Sequence, residues 1–224
     1  GRCGPRRGPR GGGTALPSPR VDSQPAPQPG APADVDVAGI LKGLHKVSTS
    51  TGSGPRVQLL ASGVGFPWVE KASELLAQDW GVSADLWSAT SWNELAREAI
   101  ATEAWNLLHP TETPRLPFVQ QKLGGHPGPV VAVSDYQRAV PLQIARWVPA
   151  DYRVLGTDGF GFADTRPAAR RFFNVDAESV TVQALQALAD AGEIPVETVA
   201  QALTKYGIDD PTLTQGAIQE GGDA

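Results

Sequence analysis

Cysteine occurs once in the 224 residues, at Cys3. No intrachain disulfide, Cys-x-x-Cys redox pair or thiolate cage for zinc can therefore form, which predicts a reducing, cytoplasmic setting. Histidine is nearly as scarce: His45, His109 and His126 stand apart, with no His-x-x-His or His-Glu-x-x-His pairing to make a metal site. Each reads as a surface or loop histidine. No apolar run approaches the roughly 20 residues that cross a bilayer, and the start of the chain lacks the apolar centre of a signal peptide. Net positive charge is missing as well: the formal charge is -5. The molecule as a whole then has no electrostatic reason to bind nucleic acid or an anionic membrane.

What is present divides the chain. Residues 1–38 are glycine, arginine, proline, serine and glutamine almost throughout, a composition that cannot bury enough apolar surface to offset its ordering entropy. They are expected to be disordered. The arginines at 2, 6, 7, 10 and 20 could hold phosphates, but overall acidity and the lack of interleaved aromatics argue against a nucleic-acid arm. Residues 39–53 are expected to form a short helix and a linker, the helical pattern itself reaching over 34–47, with Ile40, Leu41 and Leu44 on one side and Lys42 and Lys46 on the other. Residues 54–210 hold the compact domain, and 211–224 form a frayed acidic tail.

Within that domain, strands are expected at 56–62, 82–90, 130–133 and 152–155, and helices from Pro67, Ser91, Ser134, Thr165, Asp176 and Pro195. Ser91-Trp92-Asn93-Glu94 has the form of a reciprocal capping box. Residues 111–129, with four prolines, read as a long surface loop. The 172–182 region leaves room for a fifth strand, antiparallel and at an edge. This order predicts an α/β fold: an open, mainly parallel sheet with helices on both faces.

Common chemistry finds no partners. Gly63-Val64-Gly65 follows the first strand, but the third glycine of a dinucleotide fingerprint would fall at Trp68. Ser62 lacks the preceding glycine of a nucleophile elbow, since residue 60 is Leu60. The paired acids, Asp209-Asp210 and, separately, Asp79 near Asp85, read as solvated faces, and the six tryptophans as core or interface packing. No catalytic, cofactor-binding or metal residue is assigned. Ligands of such sheets meet the loops at the carboxyl ends of the strands, so the candidate crevice is Gly63, Ser91, Asp135 and Asp158.

The most informative stretch is Asp151-Tyr152-Arg153-Val154-Leu155-Gly156-Thr157-Asp158-Gly159-Phe160-Gly161, followed by Asp164-Thr165-Arg166-Pro167. It resembles the late C-terminal segment of the homodimeric, thiamine-dependent pyruvate dehydrogenase component. The resemblance runs in register from about Gly39 to Asp209. It is carried further by Val57-Gln58-Leu59-Leu60-Ala61-Ser62-Gly63, Thr90-Ser91-Trp92-Asn93-Glu94-Leu95-Ala96-Arg97, Trp105-Asn106-Leu107-Leu108-His109-Pro110, Ser134-Asp135-Tyr136 and Arg170-Arg171-Phe172-Phe173-Asn174-Val175-Asp176. Ala163 and His45 are mild departures, where the family often has serine and tyrosine.

The resemblance implies a transketolase-like C-terminal domain, a fragment of an enzyme that decarboxylates pyruvate on thiamine diphosphate with magnesium and acetylates lipoate. The domain would support dimerisation with a second copy and the shape of an active site whose groups lie elsewhere; the dihydrolipoyl acetyltransferase would be the other partner. The family's cofactor motif pairs Gly-Asp-Gly with adjacent asparagines. Here Thr157 precedes Asp158 and no two asparagines adjoin, so the chain alone is expected to bind no cofactor and to be inactive. The low-complexity start suggests a shifted reading frame or an artificial start, which the upstream DNA would reveal. A free-standing interaction or small-ligand module of the same fold is the alternative.

Overall fold

The computed structural model describes residues 35–159 and 164–208. Of the expected disordered tail, 1–34 lies outside these, as does the whole frayed terminus at 211–224; residues 35–38 are described, and Val37 and Ala38 are helical. At the centre is a five-stranded sheet, ordered β1-β3-β2-β4-β5. Strands β2 (Arg56–Ala61), β3 (Ser83–Ala89), β4 (Val130–Val133) and β5 (Tyr152–Leu155) run parallel, and β1 (Leu44–Ser48) pairs antiparallel with β3.

The expected helix over 34–47 is therefore two elements: α1 (Val37–Lys42) and then β1. Gly43 separates them, because its φ of 102° ends the helix in the left-handed region that glycine enters without strain. It also turns the chain back so that Leu44 is fully buried, whereas Leu41, expected on the same side, is exposed. The antiparallel edge strand thus lies at the start of the domain rather than at 172–182, a region that is helical instead. The edge is blunted by a bulge between Lys46 and Ser48 and by the inward-turned charge of Lys46.

Eight helices are described. α2 (Phe66–Trp80), α7 (Ala177–Asp190) and α8 (Val196–Tyr206) cover one face, packing on Val57, Leu59, Ala61, Val131 and Val133. α3 (Trp92–Leu108), α4 (Phe118–Leu123) and α5 (Ala139–Leu142) cover the other, against Leu60, Trp87, Val130 and Ala132. Being covered on both sides explains why β2 and β4 read as nearly unbroken apolar runs. α6 (Arg166–Phe172) begins at Thr165, whose hydroxyl accepts the Ala168 N–H. Tyr206 ties α8 to α2: its hydroxyl donates to Asp79 and accepts from the Trp80 indole, and burial and then the Asp79 carboxylate push its pKa up to about 12.

Three local expectations need correction. The stretch 111–129 is not wholly loop, since α4 buries Phe118, Val119 and Leu123 within it. Four prolines mask a helix too short to show a period. Ser134 and Asp135 do not cap α5, which starts at Ala139 after Arg138 with no side-chain cap, and Leu142 on that helix is exposed although Ile144 and Trp147 are buried. The capping box is half made: the Ser91 hydroxyl accepts the Glu94 N–H, but the Glu94 carboxylate turns outward to Arg97 and the Ser91 N–H goes to the Gly43 carbonyl.

Candidate functional site

In chain order the parallel strands run outward from the centre in both directions: β2 to β3 on one side, β2 to β4 to β5 on the other. The reversal lies between the carboxyl ends of β2 and β4, where neighbouring connections diverge and leave a crevice. Ser62 and Ser134 leave these two strand ends side by side, and the Ser62 hydroxyl donates to that of Ser134, 3.2 Å away. Ser134 also accepts the Tyr136 N–H. Above them opens a cavity of about 250 Å³, walled by Val64, Trp68, Val133, Phe173 and Val175 with Arg166 and Arg170 from α6 at its margin.

Of the four residues expected at the strand ends, two meet here. Gly63 has φ 51°, and a side chain built on it would point towards the Asp135 carboxylate. Asp135 lines the cavity, and its carbonyl accepts the Thr157 hydroxyl at 2.6 Å. Ser91 is apart, occupied in capping α3 beside Gly43. Asp158 is held by Arg138, accepting from its backbone N–H at 2.8 Å and from its guanidinium. Burial raises the Asp158 pKa, but the Arg138 hydrogen bonds and charge outweigh it and leave the carboxyl below its usual range.

A second polar centre lies at the opposite, amino end of the strands. Asp85, expected on a solvated face, is 2% exposed. Its carboxylate accepts from the Ser50 N–H at 3.0 Å, from Arg56 at 2.5 Å and from Lys46 at 3.3 Å. Burial pushes its pKa up, yet these donors more than compensate and the net direction is down. Lys46 Nζ also lies 3.1 Å from His126 Nδ1, and the His126 ring meets Trp87 edge-on at 5.0 Å. The Trp87 indole donates to Gln58, which in turn donates to the Pro127 carbonyl. His126 is thus a packed member of this network rather than a plain loop residue. Sequence distance hid it: Lys46, Asp85 and His126 are about forty residues apart in succession. The only local signal was a charge inside the apolar alternation of β3.

Two strand-end serines and an apolar cavity at the switch of a doubly covered parallel sheet place the chain among α/β domains that carry sites at loops. A family model described as the transketolase-like TK C-terminal domain matches residues 43–176, and the chain belongs to that family. Among its relatives, the pyruvate dehydrogenase E1 component of Mycolicibacterium smegmatis is 50% identical over 205 residues, covering 91% of this chain and 22% of that protein. The Escherichia coli K12 protein of the same name is 49% identical over 172 residues, covering 76% of this chain and 19% of its own length. The Mycobacterium tuberculosis one is 48% identical over 191 residues, covering 85% and 20%. The chain therefore spans about a fifth of the length of the curated relatives it matches. Among solved structures, transketolase from Leishmania mexicana aligns with a TM-score of 0.45 at 16% identity, over 70% of this chain and 20% of that one.

Proposed function

We propose that this chain is the C-terminal part of a pyruvate dehydrogenase (acetyl-transferring) component, working in the cytoplasm within a complex that decarboxylates pyruvate and acetylates lipoate. The observation that carries this is about 50% identity, over most of the described domain, to proteins named for that activity. In this reading the domain contributes to pairing with a second copy and to the shape of the active site, and the dihydrolipoyl acetyltransferase receives the product. An apolar stripe on α3 supports it: Ile100, Leu107 and Leu108 are 59%, 81% and 76% exposed, more than a self-sufficient domain usually leaves together on one helix.

Thiamine diphosphate with magnesium belongs to the reading as the group that supplies the carbanion chemistry. The described residues do not fit it. They contain no group of three or more His, Cys, Asp or Glu side chains placed to hold a metal ion, and Asp158 is engaged by Arg138. The cofactor and the groups that hold pyruvate are therefore assigned to other parts of a longer protein, and this domain to their support.

A chimera tests the proposal. The matching region of the M. smegmatis relative is replaced by residues 36–208 of this chain, and dimer mass and pyruvate-dependent carbon dioxide release are measured. Activity within about tenfold of the parent is expected. A folded chimera that is monomeric and inactive would overturn the reading.

A further inference from the structure

The cavity between β2, β4 and α6 has features that support of a distant active site does not use. Its described walls are almost wholly apolar, from Val64, Trp68, Val133, Phe173 and Val175. The hydroxyls around it are already engaged: Ser134 with Ser62 and Tyr136, Thr157 with the Asp135 carbonyl. Arg170 is different. Its guanidinium lies 4.3 Å from the centre of the Trp68 ring and forms an ion pair with no carboxylate among the described residues. Arg166 stands one turn earlier on the same helix, so two like charges share one margin of the cavity. Burial first, and then the charge of Arg166, depress the Arg170 pKa, as expected of a partly desolvated cation with a like charge beside it. By contrast α6 places Arg171 against Asp176 and Glu178, so helix position alone does not leave Arg170 unmatched.

We propose that this cavity binds a small organic carboxylate with an apolar body, the acid group against Arg170 and the body between Trp68, Val133 and Phe173. A volume of about 250 Å³ sets the size; a dry cavity of roughly 150 Å³ holds benzene, so one ring with a short acid arm fits. Arginine suits the role because its planar fork meets a carboxylate with two parallel hydrogen bonds while its face stays on the indole. Asp135, which also lines the cavity, is exposed, and its negative charge orients the acid away from itself towards α6. The site is independent of the proposed function: ligand binding to the chain and activity of the chimera can each fail alone.

The full 224-residue chain, isotope-labelled, is titrated with 3-phenylpropanoate, with its uncharged amide and with 3-phenylpropylamine, following backbone amide NMR signals. Saturable shifts at Val64, Val133 and Thr157 are expected with the acid, at a dissociation constant at least tenfold below that of the amide. Arg170→Gln should remove that preference, Arg170→Lys should keep part of it, and Ala169→Phe, which fills the cavity, should abolish binding of acid and amide together. No saturable shift below 10 mM, equal binding of acid and amide, or tighter binding of the amine would each overturn the proposal. The comparison of ligands on the unaltered chain decides the matter even where a variant fails to fold.

Discussion

Asp85 shows how much can rest on one buried carboxylate. With 2% of its surface exposed and Lys46, Arg56 and the Ser50 N–H around it, the anion is stabilised by donors from three separate segments. Removing its charge leaves two half-buried cations facing each other without compensation. Asp85→Asn is expected to cost about 3 kcal/mol, the usual penalty of breaking one side of a buried pair, read from urea denaturation at pH 7. His126 in the same cluster sets a pH dependence. Burial, then the Lys46 charge, depress its pKa from 6.5, with Asp85 partly opposing. The unfolded chain therefore binds more protons than the folded one between the two values. The stability from neutral His126 is fully present above about 6.5 and is lost as pH falls through the folded value. Denaturation at pH 7.5 and 5.5 is expected to show a loss of stability that shrinks in His126→Gln. An unchanged loss would mean that His126 does not titrate in this window. Gly128, with φ 88°, brings the following chain so close to β2 that a Cβ would sit 1.7 Å from the Arg56 carbonyl oxygen. Gly128→Ala should cost at least about 2 kcal/mol, from left-handed strain plus this overlap.

At the scale of elements, the edge strand and α4 are where local sequence signals are weakest and tertiary burial is strongest. Leu44 on β1 is fully buried between β3 and the helices of its face, and Leu44→Ala is expected to lose about 3 kcal/mol through transfer and cavity terms. Phe118→Ala should cost a similar amount, roughly 3 kcal/mol, although 111–129 reads as loop. If Phe118→Ala stays within 0.5 kcal/mol by the same denaturation measurement, α4 is not a working part of the core. α4 is also tied to α1, the helix that precedes the edge strand: Lys122 on α4 reaches Asp36, which caps α1, at 2.6 Å. The Ser91 cap is a smaller matter, and Ser91→Ala is expected to cost about 1 kcal/mol, consistent with a side chain that serves α3 and not the crevice.

For the whole molecule, the expectation concerns what the chain does by itself. Thiamine catalysis needs diphosphate and metal ligands, an acid that activates the cofactor and groups that hold the substrate, all in one water-poor cleft. The described part of this chain offers a small apolar cavity and a buried ion cluster at opposite ends of its sheet, and neither is that cleft. The purified chain is expected to release no carbon dioxide from labelled pyruvate above the buffer blank. Titration calorimetry with thiamine diphosphate and magnesium should likewise show no micromolar binding; either signal would contradict the assignment of those groups to other parts of a longer protein. No helix of the described residues is long and apolar enough to cross a membrane.

The sequence by itself determined the four parallel strands, most helix starts and stops, and the family. These rest on local chemistry: apolar runs of strand length, Ser91, Thr165 and Asp176 as caps, Gly207 as a stop, and long blocks of residues in register. Tertiary structure alone decided that 44–48 is a strand, because its five residues, LHKVS, have no period of their own and gain one only by pairing with β3. It likewise decided that Asp85 and His126 belong together and that Gly63 and Asp135 meet while Ser91 and Asp158 are occupied elsewhere. Strand order brings distant loops to one sheet end, and a pattern of residues along the chain carries no term for that order.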